Sequence, residues 1–144
     1  MCAFKRKRHF ADLATGERSC TQLLETAAAW EVDLIAYCFM PDHLHVLVEG
    51  KSERANSRKF ADVFRQRSGF HFRASNGTRL WQEGYYDHVL RDEDATIDVA
   101  RYIILNPVRA GLCTDASSYP LLGSTRYTMA ELLAAADWYP PTLG

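Results

Sequence analysis

A chain of 144 residues with 47% hydrophobic side chains has room for one domain with a core of ordinary size. Asp, Glu, Lys or Arg interrupts every apolar run well short of the ~20 residues that span a bilayer, and there is no signal-like apolar opening; with four scattered cysteines forming no CxxC pair, this excludes a spanning helix and a disulfide scaffold and predicts a reduced, cytoplasmic protein. A formal net charge of −1 gives no bulk attraction to nucleic acid, so the distribution of charge must carry any such partner.

That distribution is uneven. Lys5, Arg6, Lys7 and Arg8 form one basic run, and the middle third carries Lys51, Arg54, Arg58, Lys59, Arg65, Arg67, Arg73 and Arg79 against only Glu53 and Asp62. Acidic residues gather later, at Asp92, Glu93, Asp94 and Asp98 and in the tail, giving the folded chain a positive and a negative side if these segments pack apart. A solvated arginine-rich helix and a phosphate-binding face both fit the basic third.

In chain order, residues 1–10 read as the tail of a first strand. A helix is predicted over residues 19–30, where Leu23, Leu24, Ala27, Ala28 and Trp30 recur at helical spacing, with its start somewhere in residues 12–21. Residues 32–40 and 44–48 are rich in β-branched and aromatic side chains and are parted by the turn formers Pro41 and Asp42, which predicts two adjacent antiparallel strands. A basic helix follows over residues 52–76, with Phe60, Val63, Phe64 and Phe70 on its buried stripe and Asn76 and Gly77 as its stop. A short strand is expected at residues 85–91, then a third helix over residues 93–105, whose acidic start suits the helix dipole and whose end is set by Pro107. From about residue 113 the chain is less regular, with one short helix at residues 128–136. The order predicts a single α+β domain over residues 1–144: a ferredoxin-like antiparallel sheet with helices packed on it.

Alternation along a strand points His43 and His45 to one face and Leu44 and Val46 to the other, the core face. Neutral imidazoles two apart on a strand can reach one metal ion; two solvated polar residues on an outer face fit the same spacing. Asp42, beside Pro41, reads as a turn residue that bonds its own backbone. On the third helix, Ile97, Ala100, Ile103 and Ile104 form the core stripe, and Tyr102 lies outside it on a face shared with Asp98 and Asn106. Its hydroxyl could serve as a nucleophile and the Asn106 amide as a metal ligand. Equally, Tyr102 could cap the sheet edge and Asn106 end the helix ahead of Pro107.

The segment AYCFMPDHLHVLVE at residues 36–49 resembles the MPxHxH signature of HUH single-tyrosine transposases related to REP-associated tyrosine transposases. WQEGYYDHVLR at residues 81–91 and YIILNPVRAGL at residues 102–112 also look like that family, in the expected order. The resemblance runs from about residue 4 to residue 127. It implies the HUH nuclease fold and an enzyme that cuts and rejoins single-stranded or hairpin DNA through a 5′-phosphotyrosine, without a nucleotide cofactor. It implies that His43, His45 and Asn106 hold a divalent metal, Mg²⁺ or Mn²⁺, and that Tyr102 is the nucleophile. It favours the basic helix as the DNA-contacting element, with Arg54, Arg58, Lys59, Arg65, Arg67 and Arg73 as candidates. Unpaired bases would stack on aromatics such as Phe72, Trp81, Tyr85 or Tyr86, each of which also fits a core position. Relatives occur as dimers and as monomers, so a homodimer is one of two expected states. Two departures stand out: the first strand is short, and the usual Tyr-Pro-Trp-Ser-Ser pattern survives only as Tyr119-Pro120-Leu121-Leu122-Gly123-Ser124. The alternative reading is a domesticated relative that binds a DNA hairpin without cleaving it.

Overall fold

A computed structural model describes residues 1–85, 87, 89, 90 and 93–134, with the backbone alone for residues 93–95. Helix α1 (Leu13–Ala29) begins at the early end of the predicted range because Asp12 caps it, its carboxylate accepting from the Thr15 amide at 3.2 Å and the Thr15 hydroxyl at 2.7 Å. Its buried stripe includes Gly16, Leu23 and Ala27; a Cβ at Gly16 would come 2.4 Å from Leu121 Cδ1. Helix α2 (Ser57–Asn76) starts later than predicted, at the Asn56 cap, and stops at Gly77, whose φ of 74° favours glycine. Phe60, Phe64, Ser68 and Phe72 are among its buried residues. Phe70, expected inside, is instead 72% exposed.

Strands β1 (Val32–Met40) and β2 (His43–Gly50) form an antiparallel hairpin across Pro41 and Asp42, with Met40 opposite His43 and Cys38 opposite His45. The register shifts between Leu34 and Ala36, a bulge at Ile35. Leu34, Tyr37 and Phe39 join the core with α1 and α2, while Ala36, Cys38 and Met40 join a second core on the other face. Cover on both faces is why β1 reads as a continuous apolar run. An unpredicted strand, β3 (Leu122–Gly123), pairs with the free edge of β1. Gly123 lies under Tyr37, whose hydroxyl would stand 2.7 Å from an added Cβ.

Residues 1–10 are not a strand throughout. Cys2 bridges His43 and Ala3 bridges Trp81, after which left-handed backbone at Lys5 and Arg6 (φ 56° and 54°) ends the extended run. Of the strand expected at residues 85–91, residues 85, 87, 89 and 90 are not extended pairs, and Tyr86, His88 and Arg91 lie outside the described residues. The bridge at Trp81 takes that strand's place. Across the sheet the order is Trp81, residues 2–3, β2, β1, β3, the spatial order of a ferredoxin-like unit in which α1 and α2 share one face.

Helix α3 (Glu93–Ile104), the short α4 (Asn106–Arg109) and α5 (Met129–Leu133) follow. Ala100, Ile103, Ile104 and Leu132 form the second core with the far face of β1. Residues 135 and 136 of the predicted last helix lie outside the described residues. Among the described residues no helix is long and apolar enough to cross a membrane. The architecture is α+β, as the order of elements predicts.

Candidate active site

Period-two alternation puts His43 and His45 on the face of β2 opposite Leu44, which is buried in the first core. Their cross-strand neighbours Met40 and Cys38 lie in the core that α3 covers, so the imidazoles share a face with the helix bearing Tyr102. The two Nε2 atoms are 3.0 Å apart and the ring planes stand at 87°. Two metal–nitrogen bonds of ~2.1 Å at about a right angle span about 3 Å. The pair therefore fits a single divalent ion.

The hydrogen bonding around His43 suits that role. Asp42 Oδ1 lies 2.6 Å from His43 Nδ1, and Asp42 Oδ2 accepts from Arg6 Nε at 3.0 Å. A carboxylate on Nδ1 holds a proton there and leaves the Nε2 lone pair free. Burial pushes the Asp42 carboxyl up, but the His43 hydrogen bond and the Arg6 charge outweigh it and hold the group below the usual carboxylate range. His45 is pushed down to about 4, chiefly by burial, then by His43, the terminal amine, Arg109 and Arg6. A neutral His45 at pH 7 can donate its lone pair without first losing a proton. Among the described residues no three His, Cys, Asp or Glu side chains gather into a metal-binding group.

Pro107 does not end the helical path where the sequence suggests. Leu105 keeps right-handed backbone (φ −87°, ψ −1°), and Arg109 N donates to Leu105 O at 3.0 Å. Pro107 sits in the first turn of α4, where its missing N–H leaves no bond unmade. Tyr102 and Asn106 thus stay one turn apart, and Tyr102 is half-buried beside the Ala100, Ile103 and Ile104 stripe. Arg109 ties them together: its guanidinium carbon lies 3.7 Å from the Tyr102 ring centre, and Nη2 donates to the Tyr102 carbonyl at 2.6 Å and to Asn106 Oδ1 at 3.4 Å. Because Arg109 also acts on His45, this end of the helix lies within electrostatic reach of the histidines. Sequence reasoning did not single out Arg109 or give Asp42 a chemical role. Helical spacing from Tyr102 and Asn106 would have found the arginine.

The candidate DNA-binding cations differ in their surroundings. Arg67 pairs with Glu25 on α1, Lys59 lies over the Trp30 ring at 5.8 Å, and Arg58 faces Asp87 at 3.6 Å. Arg54 is exposed in the loop before α2. Arg65 donates to the Gln82 carbonyl and lies 5.2 Å from the Tyr85 ring centre. Arg73 is exposed along a cleft with Arg65 and Arg79. Two of the suggested stacking aromatics are core residues: Phe72 packs on His9, ring centres 4.6 Å apart, and Trp81 donates from Nε1 to Ser68 Oγ at 2.9 Å. Tyr86 lies outside the described residues.

Fold and site together define an α+β protein of ferredoxin-like order that carries a His-x-His pair on a sheet strand. Residues 1–106 match the family model described as IS200-like transposase. The chain belongs to that family of transposases. It is 24% identical over 128 residues to a Haemophilus influenzae protein named, provisionally, a REP-associated tyrosine transposase, covering 79% of this chain and 70% of the relative. A solved structure described as a REP-associated tyrosine transposase bound to a REP hairpin matches with a TM-score of 0.66 at 16% identity, covering 83% of this chain and 69% of that one. This likeness supports the fold.

Proposed function

We propose that the chain is a metal-dependent endonuclease and strand transferase that acts on hairpin-containing single-stranded DNA through Tyr102. The observation that carries this is the convergence of the His43 and His45 Nε2 atoms, 3.0 Å apart, on the sheet face that the Tyr102 helix covers. His43, His45 and the Asn106 amide would hold Mg²⁺ or Mn²⁺. When bound, such an ion supplies a Lewis acid that draws off charge building on the scissile phosphate.

Tyr102 supplies the nucleophile. Its hydroxyl oxygen forms a bond to phosphorus as the bond from phosphorus to the 3′ oxygen breaks; the phenolic proton goes to solvent, and the departing 3′ oxygen takes one up. The 5′-phosphotyrosine so formed keeps the energy of the phosphodiester, and a later attack by a 3′-hydroxyl rejoins the strand and restores the phenol. Asp42 keeps His43 in the tautomer that offers Nε2, and Arg109 holds the Tyr102 ring with a positive charge at its face. The hairpin substrate is supported by the structural relative, whose own description names a bound hairpin.

The test is incubation of the protein with a labelled hairpin oligonucleotide and Mn²⁺, followed by denaturing electrophoresis. A denaturation-resistant protein–DNA adduct is expected from the natural chain and not from Tyr102→Phe. Hairpin binding without an adduct would favour the non-cleaving binding module instead.

A further inference from the structure

Arg109 Nη2 donates to the Tyr102 carbonyl at 2.6 Å, which is what a basic side chain at the end of a helix ordinarily does. A second contact goes beyond that duty. The same nitrogen lies 3.4 Å from Asn106 Oδ1, and the carboxamide oxygen is the one side-chain atom of Asn106 able to bind a divalent cation. In this chain that oxygen faces a guanidinium. Arg6, Arg58, Arg67, Arg101 and Arg126 each have a carboxylate partner. Among the described residues Arg109 has none, and its hydrogen bonds run through Nη2 alone. The side chain is exposed, and its charge reaches both Cys38 and His45, which stand opposite each other on β1 and β2. An uncompensated cation therefore sits between the tyrosine, the amide and the histidine pair.

We propose that Arg109 is a further catalytic residue that exchanges partners: its guanidinium holds the Asn106 carboxamide oxygen in the free chain and passes to an oxygen of the scissile phosphate when DNA binds, releasing Asn106 to the metal. The inference rests on the reading of the chain as a metal-dependent strand transferase and adds how metal and substrate are coupled. A phosphate is the stronger acceptor, because it is charged and takes two parallel N–H bonds from one guanidinium where a neutral amide oxygen takes one. Little is lost in the exchange, since 3.4 Å is long for a hydrogen bond. While Arg109 stays on Asn106, a second cation at the same oxygen is repelled by the first. The free chain thus holds its metal weakly, and the arriving phosphate both neutralises the arginine and completes the ligand set.

Mn²⁺ titrations, followed by the paramagnetic resonance signal of the free ion, test this in the Tyr102→Phe chain, which keeps the ring face and cannot cleave. Without DNA, Arg109→Ala is expected to tighten Mn²⁺ binding roughly ten-fold, and Arg109→Lys, which keeps the charge, to change it by less than about three-fold. A helix-end role alone predicts no gain. In an Asn106→Ala background the gain from Arg109→Ala should vanish, because the shared oxygen is gone. A hairpin oligonucleotide with single-stranded flanks should tighten Mn²⁺ binding roughly ten-fold more in the chain with Arg109 than in Arg109→Ala, and by linkage Mn²⁺ should tighten the hairpin by the same factor, read by anisotropy. An Mn²⁺ affinity that is unchanged or weaker in Arg109→Ala, or a gain that persists without Asn106, would overturn the exchange; an adduct formed by the natural chain would still uphold the nuclease. A natural chain that neither binds Mn²⁺ nor forms an adduct would overturn both. Matching circular dichroism spectra establish that the variants fold, and Arg109→Gln, which can still donate to the Tyr102 carbonyl, carries the same expectation if Arg109→Ala does not.

Discussion

His43 offers its Nε2 lone pair only while Nδ1 keeps its proton, and Asp42 is the group placed to hold it there, at 2.6 Å. Asp42→Ala is therefore expected to weaken Mn²⁺ binding by about 10- to 100-fold, measured by calorimetric titration. Asp42→Asn, which can still accept from Nδ1, should lose less. An affinity unchanged in Asp42→Ala would remove Asp42 from the site. His45 gives a prediction in pH. Its imidazole takes a proton at about 4 in the folded chain but near ~6.5 when unfolded. As pH falls from about 6.5 to about 4 the unfolded state binds the proton that the folded state refuses, so metal-free stability drops, by roughly 2 kcal/mol after allowance for partial exposure. Urea midpoints across that range should show a steeper fall for the natural chain than for His45→Asn. The histidine pair was legible because alternation and the MPxHxH motif agree. Asp42 was not, since an aspartate in a tight turn looks the same in sequence whether it bonds its own backbone or the next ring.

Helix α2 shows how one buried polar residue can hide a stripe. Phe60, Phe64, Ser68 and Phe72 recur every four residues, but the serine breaks the apolar pattern and makes Phe70 a tempting fourth member. Ser68 is inside because it accepts from Trp81 Nε1 at 2.9 Å and donates to the Phe64 carbonyl at 2.7 Å. Ser68→Ala leaves a buried indole N–H without its acceptor and is expected to destabilise the fold by about 1–3 kcal/mol. Chemical unfolding would measure it; a change below about 0.5 kcal/mol would mean that water replaces the hydroxyl. The strand-helix-strand order and the β1–β2 hairpin were readable from period and turn chemistry. β3 was not, because two residues, one of them glycine, carry no period and owe their pairing to the β1 edge.

At the scale of the whole molecule, the histidine pair and the Tyr102 helix lie on one face of the sheet, where the proposed chemistry would take place, while α1 and α2 build the larger core on the other. Activity and stability should therefore separate on α3. Tyr102 lies outside the buried stripe, so Tyr102→Phe is expected to move the thermal unfolding free energy by less than about 0.5 kcal/mol while abolishing the DNA adduct. Ile104, 0% exposed, should behave in the opposite way: Ile104→Ala is expected to cost about 2–5 kcal/mol, and any lost adduct should follow the folded fraction. Calorimetry beside the adduct assay separates the two outcomes. The bulge at Ile35 also bears on how the gene can vary. β1 contains one residue that β2 does not match, and without it the remaining side chains still alternate correctly. Loss of that single codon would thin the packing yet keep Cys38 beside His45, whereas loss of the Cys38 codon would move the Tyr37 ring to the place opposite His45.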